Sequence, residues 1–381
     1  MGGADMEKQY RILVVNPGST STKIAVFQNE QEILKKTMDH SPADLPGTGV
    51  QEQLDFRREA VLRMLKESGI SVREMDIFVG RGGGLVNTKG GVYEINEKLL
   101  EHARIGVMGQ HPAQLASQIC AQFRDDYGGQ AYVVNPPDVD EFIDVARITG
   151  IRDVYRNSQV HALNQKEVAL RCCQEEGYDY QKVNLIVAHI GGGISVAAHR
   201  RGRMIDSNNI LQGDGPMAPT RCGSIPVRKV VELCFDGRYS KEELLDKTSR
   251  SGGLTDLLGT ADVCEIEQRI QEGDTYAKMV YDTMIYQIAK AAGSCAAALE
   301  GDVQKIVLTG GIARSRYLVS SLKHSLGWIA PLRVYAGEYE MEALAHGALR
   351  AVRREEPVIQ YAGIPVWTPC MLRKTGREGM T

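Results

Sequence analysis

Short apolar runs punctuate the chain and are separated by longer polar or amphipathic segments. Such runs, bounded by turn-forming residues, are typical of buried strands. We predict central strands at residues 11–15, 77–79, 131–134, 184–190 and 305–308. Leu54, Val61, Leu62 and Leu65 recur at helical spacing and predict an amphipathic helix after the first strands. Strands that alternate with helices indicate the α/β class.

A strand–turn–strand–turn–strand pattern occurs twice along the chain. Its two copies are predicted at residues 11–15, 22–27 and 32–37, and at 184–190, 194–199 and 204–206. Helical segments and a further buried strand follow each copy. The pattern therefore predicts a duplicated fold with two related lobes.

Two long helices are predicted in the second half of the chain. Asp274 is a suitable N-cap for a helix that continues through Ile288 into a segment of small residues. Another helix is predicted from Glu340 to Arg353. The segment after Pro357 is predicted to be a loop or an extension.

Each predicted buried strand ends in a cluster of glycine, proline or polar residues. These clusters begin at Asn16, Gly80, Asn135, His189 and Thr309. Ligands of open α/β sheets bind at the carboxyl ends of parallel strands, where backbone N–H groups can donate hydrogen bonds to phosphate oxygens. Glycine makes up 40 of the 381 residues. We therefore predict a phosphate-binding cleft lined by glycine-rich loops.

Composition excludes several classes of protein. The 45 Lys and Arg nearly balance the 48 Asp and Glu, giving a formal charge of −3, so we expect neither nucleic acid nor a membrane surface as partner. No apolar stretch is long enough to span a membrane, and residues 1–11 lack the apolar core of a secretory signal. Eight cysteines without a C-x-x-C pair suit the reducing cytoplasm.

The familiar nucleotide motifs are absent. No Gly-Lys dipeptide occurs, which excludes a Walker-type loop. The stretch Gly213–Ala218 matches a dinucleotide fingerprint in spacing only, because it contains Pro216 and follows no apolar strand, so we predict a turn there. The hairpin from Asn16 to Lys23 is a better candidate, since its amide, hydroxyl and ammonium groups would meet a polyphosphate from one side.

Seven segments, in order along nearly the whole chain, resemble motifs of the acetate and butyrate kinase family, within the actin, Hsp70 and sugar-kinase superfamily. They read VVNPGSTSTK, VGRGGGL, GQHPA, VHALNQK, AHIGGGISVAAHRRG, PTRCG and LTGGIARS. The resemblance implies a two-lobed actin-like ATPase fold, a duplicated ribonuclease H-like α/β fold with an interlobe cleft. It implies a substrate lobe over residues 1–157, to which 344–381 return, and a nucleotide-binding lobe over 158–343.

The resemblance also implies an activity. MgATP would phosphorylate a short-chain fatty acid by direct and reversible in-line transfer, and the forms VHALNQK and GRGGGL favour butyrate, giving butyryl phosphate and ADP. Acetate, propionate or another carboxylate remains an alternative substrate, as does a catalytically weak nucleotide-binding homologue. The implied cofactors are ATP/ADP and Mg²⁺, and the implied assembly is a homo-oligomer, a dimer or larger.

Individual residues take roles from the same resemblance. The implied catalytic residues are Asn16, Lys23, Arg81, His111, His161 and Arg221. The residues implied to bind the nucleotide or its phosphates are Ser19, Ser21, His189, Gly191, Gly192, Gly193, Asp262, Gly310, Gly311, Ile312 and Arg314. Asn16 and Glu340 are implied at the metal, with Glu338 and Glu342 as alternatives to Glu340.

The chemistry of the residue types agrees with these roles. A fatty-acid carboxylate, with a pKa near that of Glu at about 4.3, is already ionised at neutral pH and needs no general base. Positioning and charge neutralisation remain, and the planar guanidinium of arginine suits both carboxylate and phosphoryl groups. Ser158 is a suitable N-cap, which would place His161 in the first turn of a helix.

Three positions depart from the family pattern. Asn135 stands where butyrate kinases usually have an aspartate, and Asp138 or Asp140 could replace the missing charge. Cys264 stands in place of an arginine after Asp262, which affects the predicted ribose contacts. The stretch from Thr220 to Gly223 has the acetate-kinase form, which leaves the preferred chain length open.

Overall fold

A computed structural model describes residues 8–41, 43–47 and 49–371. The chain forms two compact units, one containing the described residues up to Val139 together with Tyr339–Thr368, the other containing Asp140–Glu338. The chain thus leaves the first unit after Val139 and re-enters it at Tyr339. The functional division into lobes of residues 1–157 and 158–343 stays a prediction, and residues 1–7 and 372–381 of the predicted first lobe lie outside the described residues.

Twelve strands and eleven α-helices are found in the described residues. The strands are β1 Arg11–Pro17, β2 Ser21–Gln28, β3 Gln31–Asp39, β4 Ile77–Gly80, β5 Val92–Glu94, β6 Gln130–Val134, β7 Asn184–Ile190, β8 Ile194–Arg200, β9 Arg203–Ser207, β10 Lys305–Gly310, β11 Leu332–Ala336 and β12 Val358–Gln360. The helices are α1 Leu54–Glu67, α2 Glu97–Ile105, α3 Leu115–Tyr127, α4 Ala162–Glu176, α5 Val227–Phe235, α6 Lys241–Ser249, α7 Leu254–Leu258, α8 Val263–Gln271, α9 Thr275–Ala298, α10 Arg316–Leu326 and α11 Glu340–Val352.

The first unit is built on a seven-stranded sheet with strand order β12-β5-β6-β4-β1-β2-β3. Strands β1, β4 and β6 are parallel, so the residues that follow them gather at one edge of the sheet. β1 and β4 are buried along almost their whole length, as expected for strands covered on both faces. The predicted gathering of Asn16, Gly80 and Asn135 at the carboxyl edge is therefore confirmed.

The second unit contains a five-stranded sheet with strand order β11-β10-β7-β8-β9. β7 runs antiparallel to β8, β8 antiparallel to β9, and β7 parallel to β10. The first unit has the same arrangement in β1, β2, β3 and β4. The predicted repeat is therefore confirmed at the level of topology.

Helix α9 forms much of the core of the second unit, with Tyr281, Met284 and Ile288 fully buried. The Asp274 carboxylate accepts a hydrogen bond from the Ala277 backbone N–H at 2.8 Å, which confirms the predicted N-cap. In the described residues, no helix combines the length and the apolar character needed to cross a membrane.

The prediction of a loop or an extension after Pro357 did not include a strand at residues Val358–Gln360. They form β12, which pairs in parallel with β5 over Val92–Glu94. Each of these strands is only three residues long, too short to show an apolar alternation in the sequence.

Candidate active site

The carboxyl edge of the first sheet brings three predicted site residues together. Asn16 lies near the end of β1, Arg81 follows β4, and Glu340 is the first residue of α11. The Arg81 Nη1 lies 2.9 Å from Glu340 Oε1 and 3.0 Å from Oε2. Asn16 Nδ2 donates to Glu340 Oε2 at 3.0 Å. One carboxylate therefore orients both an amide and a guanidinium.

This geometry distinguishes Glu340 from its two acidic neighbours. The Glu342 carboxylate lies 3.8 Å from Lys35 Nζ, whereas Asn16 and Arg81 both bond to Glu340. Glu338 belongs to the second compact unit. Of the three candidates, Glu340 is the one that contacts Asn16 and Arg81.

The donor set at this edge is suited to a hard cation. Mg²⁺ prefers oxygen ligands and in kinase sites is usually held by one or two carboxylates together with substrate phosphates. Asn16 and Glu340 offer an amide oxygen and a carboxylate. Within the described residues no cluster of three or more His, Cys, Asp or Glu could hold a metal ion alone. The residues present therefore fit an ion that arrives with a nucleotide.

His111 is held in one tautomer by the local backbone. It precedes a short 3₁₀ helix over Pro112–Gln114, and its Nδ1 accepts from the Ala113 backbone N–H at 3.1 Å. Desolvation by the surrounding protein, followed by the positive charges of Arg81 and Arg57, lowers the pKa of His111. The side chain nevertheless keeps an exposed surface. His111 is therefore neutral at pH 7 and carries its proton on Nε2.

The hairpin between β1 and β2 exposes Ser19 and Lys23, with Ser21 partly buried, and their contacts with phosphate stay predictions. It is held from beneath by Arg57, which the sequence analysis missed. Arg57 is fully buried and its Nη1 donates to the Ser21 carbonyl at 2.9 Å and to Thr22 Oγ1 at 3.1 Å. The sequence does contain an indication of this role, because Arg57 is four residues before Val61 and therefore lies on the buried face of α1.

In the second unit, His161 precedes α4 and is not in its first turn. The prediction that Ser158 caps this helix is wrong, since α4 begins at Ala162 and His161 occupies the N-cap position without a side-chain cap. The His161 carbonyl accepts the first helical hydrogen bond, from Gln165 N at 2.9 Å. The Ser158 hydroxyl is buried and has no hydrogen-bond partner among the described residues.

The imidazoles of His161 and His189 stack on each other. Their centroids are 3.8 Å apart and their planes differ by 13°. His189 lies on β7, one residue before its end, whereas His161 comes from the loop before α4. His161 Nδ1 lies 2.8 Å from Ser195 Oγ, and His189 Nδ1 lies 3.0 Å from the amide nitrogen of Asn164. The structure therefore brings these two predicted residues together.

A glycine loop and an arginine complete this second cluster. A Cβ on Gly193 would lie 1.5 Å from Arg221 Nη1, so only glycine leaves room for the guanidinium. Arg221 Nη1 is buried and has no hydrogen-bond partner among the described residues. Burial lowers the pKa of Arg221, but an arginine in a protein remains charged at neutral pH. A buried N–H of a cation without a protein acceptor is suited to an anionic ligand.

The residues predicted to hold adenosine lie after β10. Gly310 has φ of +91°, and a Cβ there would lie 2.3 Å from the Ile190 carbonyl oxygen. Gly311–Arg314 form a short 3₁₀ helix, which includes Ile312. Asp262 caps α8 by accepting from Cys264 N at 2.8 Å, so its carboxylate already has a structural task. The nucleotide contacts of Asp262, Ile312 and Arg314 stay predictions.

Asn135 has a structural role at its position. It adopts φ of +40°, a conformation that asparagine tolerates better than most residues. Its Oδ1 accepts from Gly91 N at 2.8 Å, while its own N–H donates to the Gly91 carbonyl at 2.9 Å. The Asn135 side chain thus braces the segment before β5.

The two candidate replacements for the missing aspartate differ sharply. Both carboxylate oxygens of Asp140 are held by Arg147, at 2.6 and 2.7 Å. One oxygen of buried Asp138 has no hydrogen-bond partner in the described part of the chain, and burial raises the pKa of Asp138 to about 7. Of the two, Asp138 is the carboxylate with an uncommitted oxygen.

Known proteins resemble this chain over nearly its whole length. A model described as the acetokinase family matches residues 152–328. Butyrate kinase 2 of Clostridium acetobutylicum is 44% identical over 354 residues, 93% of this chain and 99% of that protein. An acetate kinase structure from Porphyromonas gingivalis superposes with a TM-score of 0.72 at 20% identity, covering 89% of this chain and 99% of that one. A propionate kinase structure from Francisella tularensis gives 0.70 at 19% identity, covering 88% and 98%.

The fold is that of the two-lobed actin-like ATPases, and the chain belongs to the acetokinase family. The resemblance seen in the seven motifs is confirmed, and with it the expectation of a carboxylate kinase. The roles of individual residues remain predictions from geometry and motif.

Proposed function

We propose that this protein transfers the γ-phosphoryl group of ATP reversibly to butyrate, giving butyryl phosphate and ADP. The observation that carries the proposal is the buried Arg221 N–H against Gly193, which has no protein acceptor in the described residues and therefore suits an anion. The similarity to a butyrate kinase over 93% of the chain supports butyrate as the acid.

The proposed reaction needs no general base. Butyrate is ionised at pH 7, because a carboxylic acid has a pKa of about 4–5. Its oxygen attacks the γ-phosphorus, the bond to the β,γ-bridging oxygen breaks, and that oxygen leaves with ADP. The protein must orient the two anions and neutralise charge, which are the dominant contributions in phosphoryl transfer.

The two clusters supply complementary groups. In the first unit, Arg81 offers its guanidinium to the carboxylate and Glu340 fixes the direction of that guanidinium. Neutral His111 offers an Nε2–H donor that adds no charge. In the second unit, Arg221 and the two stacked imidazoles offer donors for phosphoryl oxygens. Lys23 and the hairpin hydroxyls would contact the nucleotide phosphates.

Asn16 and Glu340 would hold Mg²⁺ together with the nucleotide phosphates. The ion, when bound, neutralises charge on the phosphate oxygens. Of the two candidates for the charge that Asn135 lacks, Asp140 is committed to Arg147, and Asp138, with its pKa raised to about 7 by burial, would be only partly ionised at neutral pH.

We further propose a cytoplasmic homo-oligomer. Helix α5 supports self-association, because none of its residues is buried and Val227 and Phe235 are 73% and 86% exposed. Large apolar side chains exposed together mark interaction surfaces. Light scattering measures the molar mass of the wild-type assembly and of Phe235→Glu in solution. We expect a lower mass for the variant, and equal masses would contradict the role of helix α5.

An acyl-hydroxamate assay tests the proposed activity. The purified protein is incubated with MgATP, hydroxylamine and acetate, propionate, butyrate or isobutyrate in turn. We expect hydroxamate from all the acids that bind and the highest kcat/KM for butyrate, with about 1–3 kcal/mol of discrimination per methylene. A maximum at acetate would revise the substrate, and no hydroxamate with any acid would refute the activity.

A further inference from the structure

Buried polar side chains lie behind the stacked histidines and belong to none of the predicted motif roles. Ser195, Gln165, His199 and Thr309 are fully buried, and Asn164 is 1% exposed. Buried polar groups are costly unless their hydrogen bonds are made. Each of these side chains must therefore donate or accept in a definite way. Backbone carbonyls, which can only accept, determine which atom donates and which accepts.

The Ser195 backbone carbonyl fixes the orientation of Gln165. A carbonyl can only accept, so the Gln165 amide nitrogen faces it at 3.1 Å and also donates to Ser195 Oγ at 2.7 Å. The Gln165 Oε1 must then face His199 Nε2, at 3.0 Å, which places the proton of His199 on Nε2. His199 Nδ1 accepts from the Tyr180 hydroxyl at 2.8 Å.

Ser195 transmits this direction to His161. Its Oγ already accepts from Gln165, so its own proton is directed to His161 Nδ1 at 2.8 Å. If His161 Nδ1 carried a proton instead, the buried Ser195 hydroxyl would have no acceptor among the described residues. The imidazole proton of His161 is therefore on Nε2.

A second route fixes His189 in the same way. The Thr309 hydroxyl donates to the Gly337 carbonyl at 3.2 Å, so its oxygen accepts from the amide nitrogen of Asn164 at 3.0 Å. The same nitrogen lies 3.0 Å from His189 Nδ1, which must be an acceptor. His189 Nε2 therefore carries the proton, and it lies beside the glycine loop, 3.1 Å from where a Cβ of Gly191 would be.

We propose that Ser195 and Asn164 are positioning residues that hold His161 and His189 in the Nε2–H tautomer, so that a stacked pair of neutral imidazoles donates to phosphoryl oxygens. Two cations with ring centroids 3.8 Å apart would repel each other, so the stack itself disfavours a doubly charged pair. The assignment of phosphoryl oxygens as acceptors rests on the proposed function; the tautomers do not.

Histidine-selective ¹⁵N NMR of the full chain at pH 7.5 tests the tautomers directly, without substrate. Resonances are assigned with His161→Gln and His189→Gln. We expect long-range ¹H–¹⁵N correlations of the Nε2–H form for both histidines in the wild type. Ser195→Ala should convert His161 to a mixture or to Nδ1–H, and Asn164→Ala should do the same for His189.

Kinetics then test the link to function. We expect Ser195→Ala to lower kcat about 10–100-fold with KM for ATP and butyrate changed by less than about threefold, and Ser195→Thr, which keeps the hydroxyl, to restore most of kcat. The matched control is Ser207→Ala, a buried serine on β9 whose hydroxyl donates to the Val196 carbonyl at 3.0 Å. It should leave both the tautomers and kcat at wild-type values.

The possible outcomes separate the two hypotheses. A wild-type spectrum with Nδ1–H on either histidine overturns the positioning role and needs no variant to fold. A Ser195→Ala protein with unchanged tautomers and kcat equal to that of Ser207→Ala overturns it as well. Correct tautomers in a wild type that phosphorylates no carboxylate would support the positioning assignment and refute the proposed function.

Discussion

The Glu340 carboxylate holds two other side chains of the candidate site in place. It receives both the guanidinium of Arg81 and the amide of Asn16. These partners are separated from it by 259 and 324 positions along the chain. Tertiary structure alone brings Asn16 and Arg81 to Glu340. Because both partners are candidate site residues, we expect a substitution of Glu340 to affect catalysis more than folding.

Replacing Glu340 with glutamine should lower kcat and increase the Mg²⁺ concentration needed for half-maximal activity. The amide keeps the size of the side chain but removes the charge that orients Arg81. We expect a loss of about 10–100-fold, the range typical of groups that orient a reacting residue or hold a metal. Steady-state kinetics across Mg²⁺ concentrations measure the effect.

Glu342→Gln is the matched control, because Glu342 lies two positions away and its carboxylate is 3.8 Å from Lys35 Nζ. We expect its kcat to stay within about twofold of the wild type, because Glu342 pairs with Lys35 whereas Arg81 pairs with Glu340. Equal losses in the two variants would contradict the role of Glu340.

A surrounding motif singles out candidate residues, and the roles of those residues stay predictions. The motifs name His161 and His189 separately, and the structure stacks their imidazoles, a contact that neither motif predicts. Motif context could not choose among Glu338, Glu340 and Glu342, because three acidic residues alternate along one short stretch and only tertiary contact distinguishes them. Asn164 and Gln165 were missed, although two buried amides in one helix turn are an unusual pattern that asks for a hydrogen-bonding explanation.

Helix α1 and the β1–β2 hairpin are joined through one buried cation. Arg57 on α1 donates to the Ser21 carbonyl and Thr22 Oγ1 of β2, and its Nε donates to Gln53 Oε1 at 3.0 Å. A helix thus fixes the shape of the turn that carries Ser19. The order of the hairpin depends on a residue outside it.

Arg57→Met should destabilise the protein and loosen the hairpin. The methionine retains the apolar stem but donates no hydrogen bond, so Gln53 Oε1 loses its donor, whereas the Ser21 carbonyl keeps the Gly18 N–H and Thr22 Oγ1 keeps His40 Nε2. We expect a loss of about 1–3 kcal/mol in the free energy of unfolding, the range for leaving one buried polar group unsatisfied. Chemical denaturation measures this loss. A raised KM for ATP would show that the loosened hairpin binds the nucleotide less well.

Arg58→Met provides the comparison on the same helix turn. Arg58 makes surface ion pairs with Glu59 at 3.1 Å and Asp126 at 2.7 Å. Because exposed pairs contribute little, its loss should cost no more than about 1 kcal/mol. Equal free energies of unfolding in the two variants, Arg57→Met and Arg58→Met, would contradict the role given to Arg57.

Elements were predictable where their signals are local. Asp274 was recognised as a cap because a capping carboxylate acts within three residues, and the structure places it so. Ser158 was a plausible cap by the same rule, but the chain uses His161 at that position and α4 starts later. β5 and β12 pair with each other although they are far apart in the sequence, and local sequence patterns do not predict such a pairing.

Across the molecule, buried neutral histidines link stability to pH. Burial, and after it the positive charge of Lys166, holds the pKa of His199 well below 6.5. The unfolded chain takes up a proton on this residue near pH 6.5, whereas the folded protein does not. Stability is therefore unaffected by His199 above pH 6.5 and falls as the pH decreases below that value.

The free energy of unfolding should decrease by up to about 1.4 kcal/mol per pH unit for His199 alone between pH 6.5 and its folded pKa. Urea denaturation at pH 7.5, 6.5 and 5.5 measures the slope. His199→Gln removes the titrating group and should flatten the dependence by that amount, whatever its absolute stability. An unchanged slope in this variant would show that His199 is protonated in the folded state.

We propose that this acetokinase-family chain phosphorylates a carboxylate. The most direct test is ³¹P NMR of the purified protein with MgATP and butyrate, which observes substrates and products together. We predict one butyryl phosphate formed for each ADP, and ATP regenerated when ADP is added in excess. ADP that accumulates with inorganic phosphate alone, or ATP that persists unchanged, would contradict this prediction.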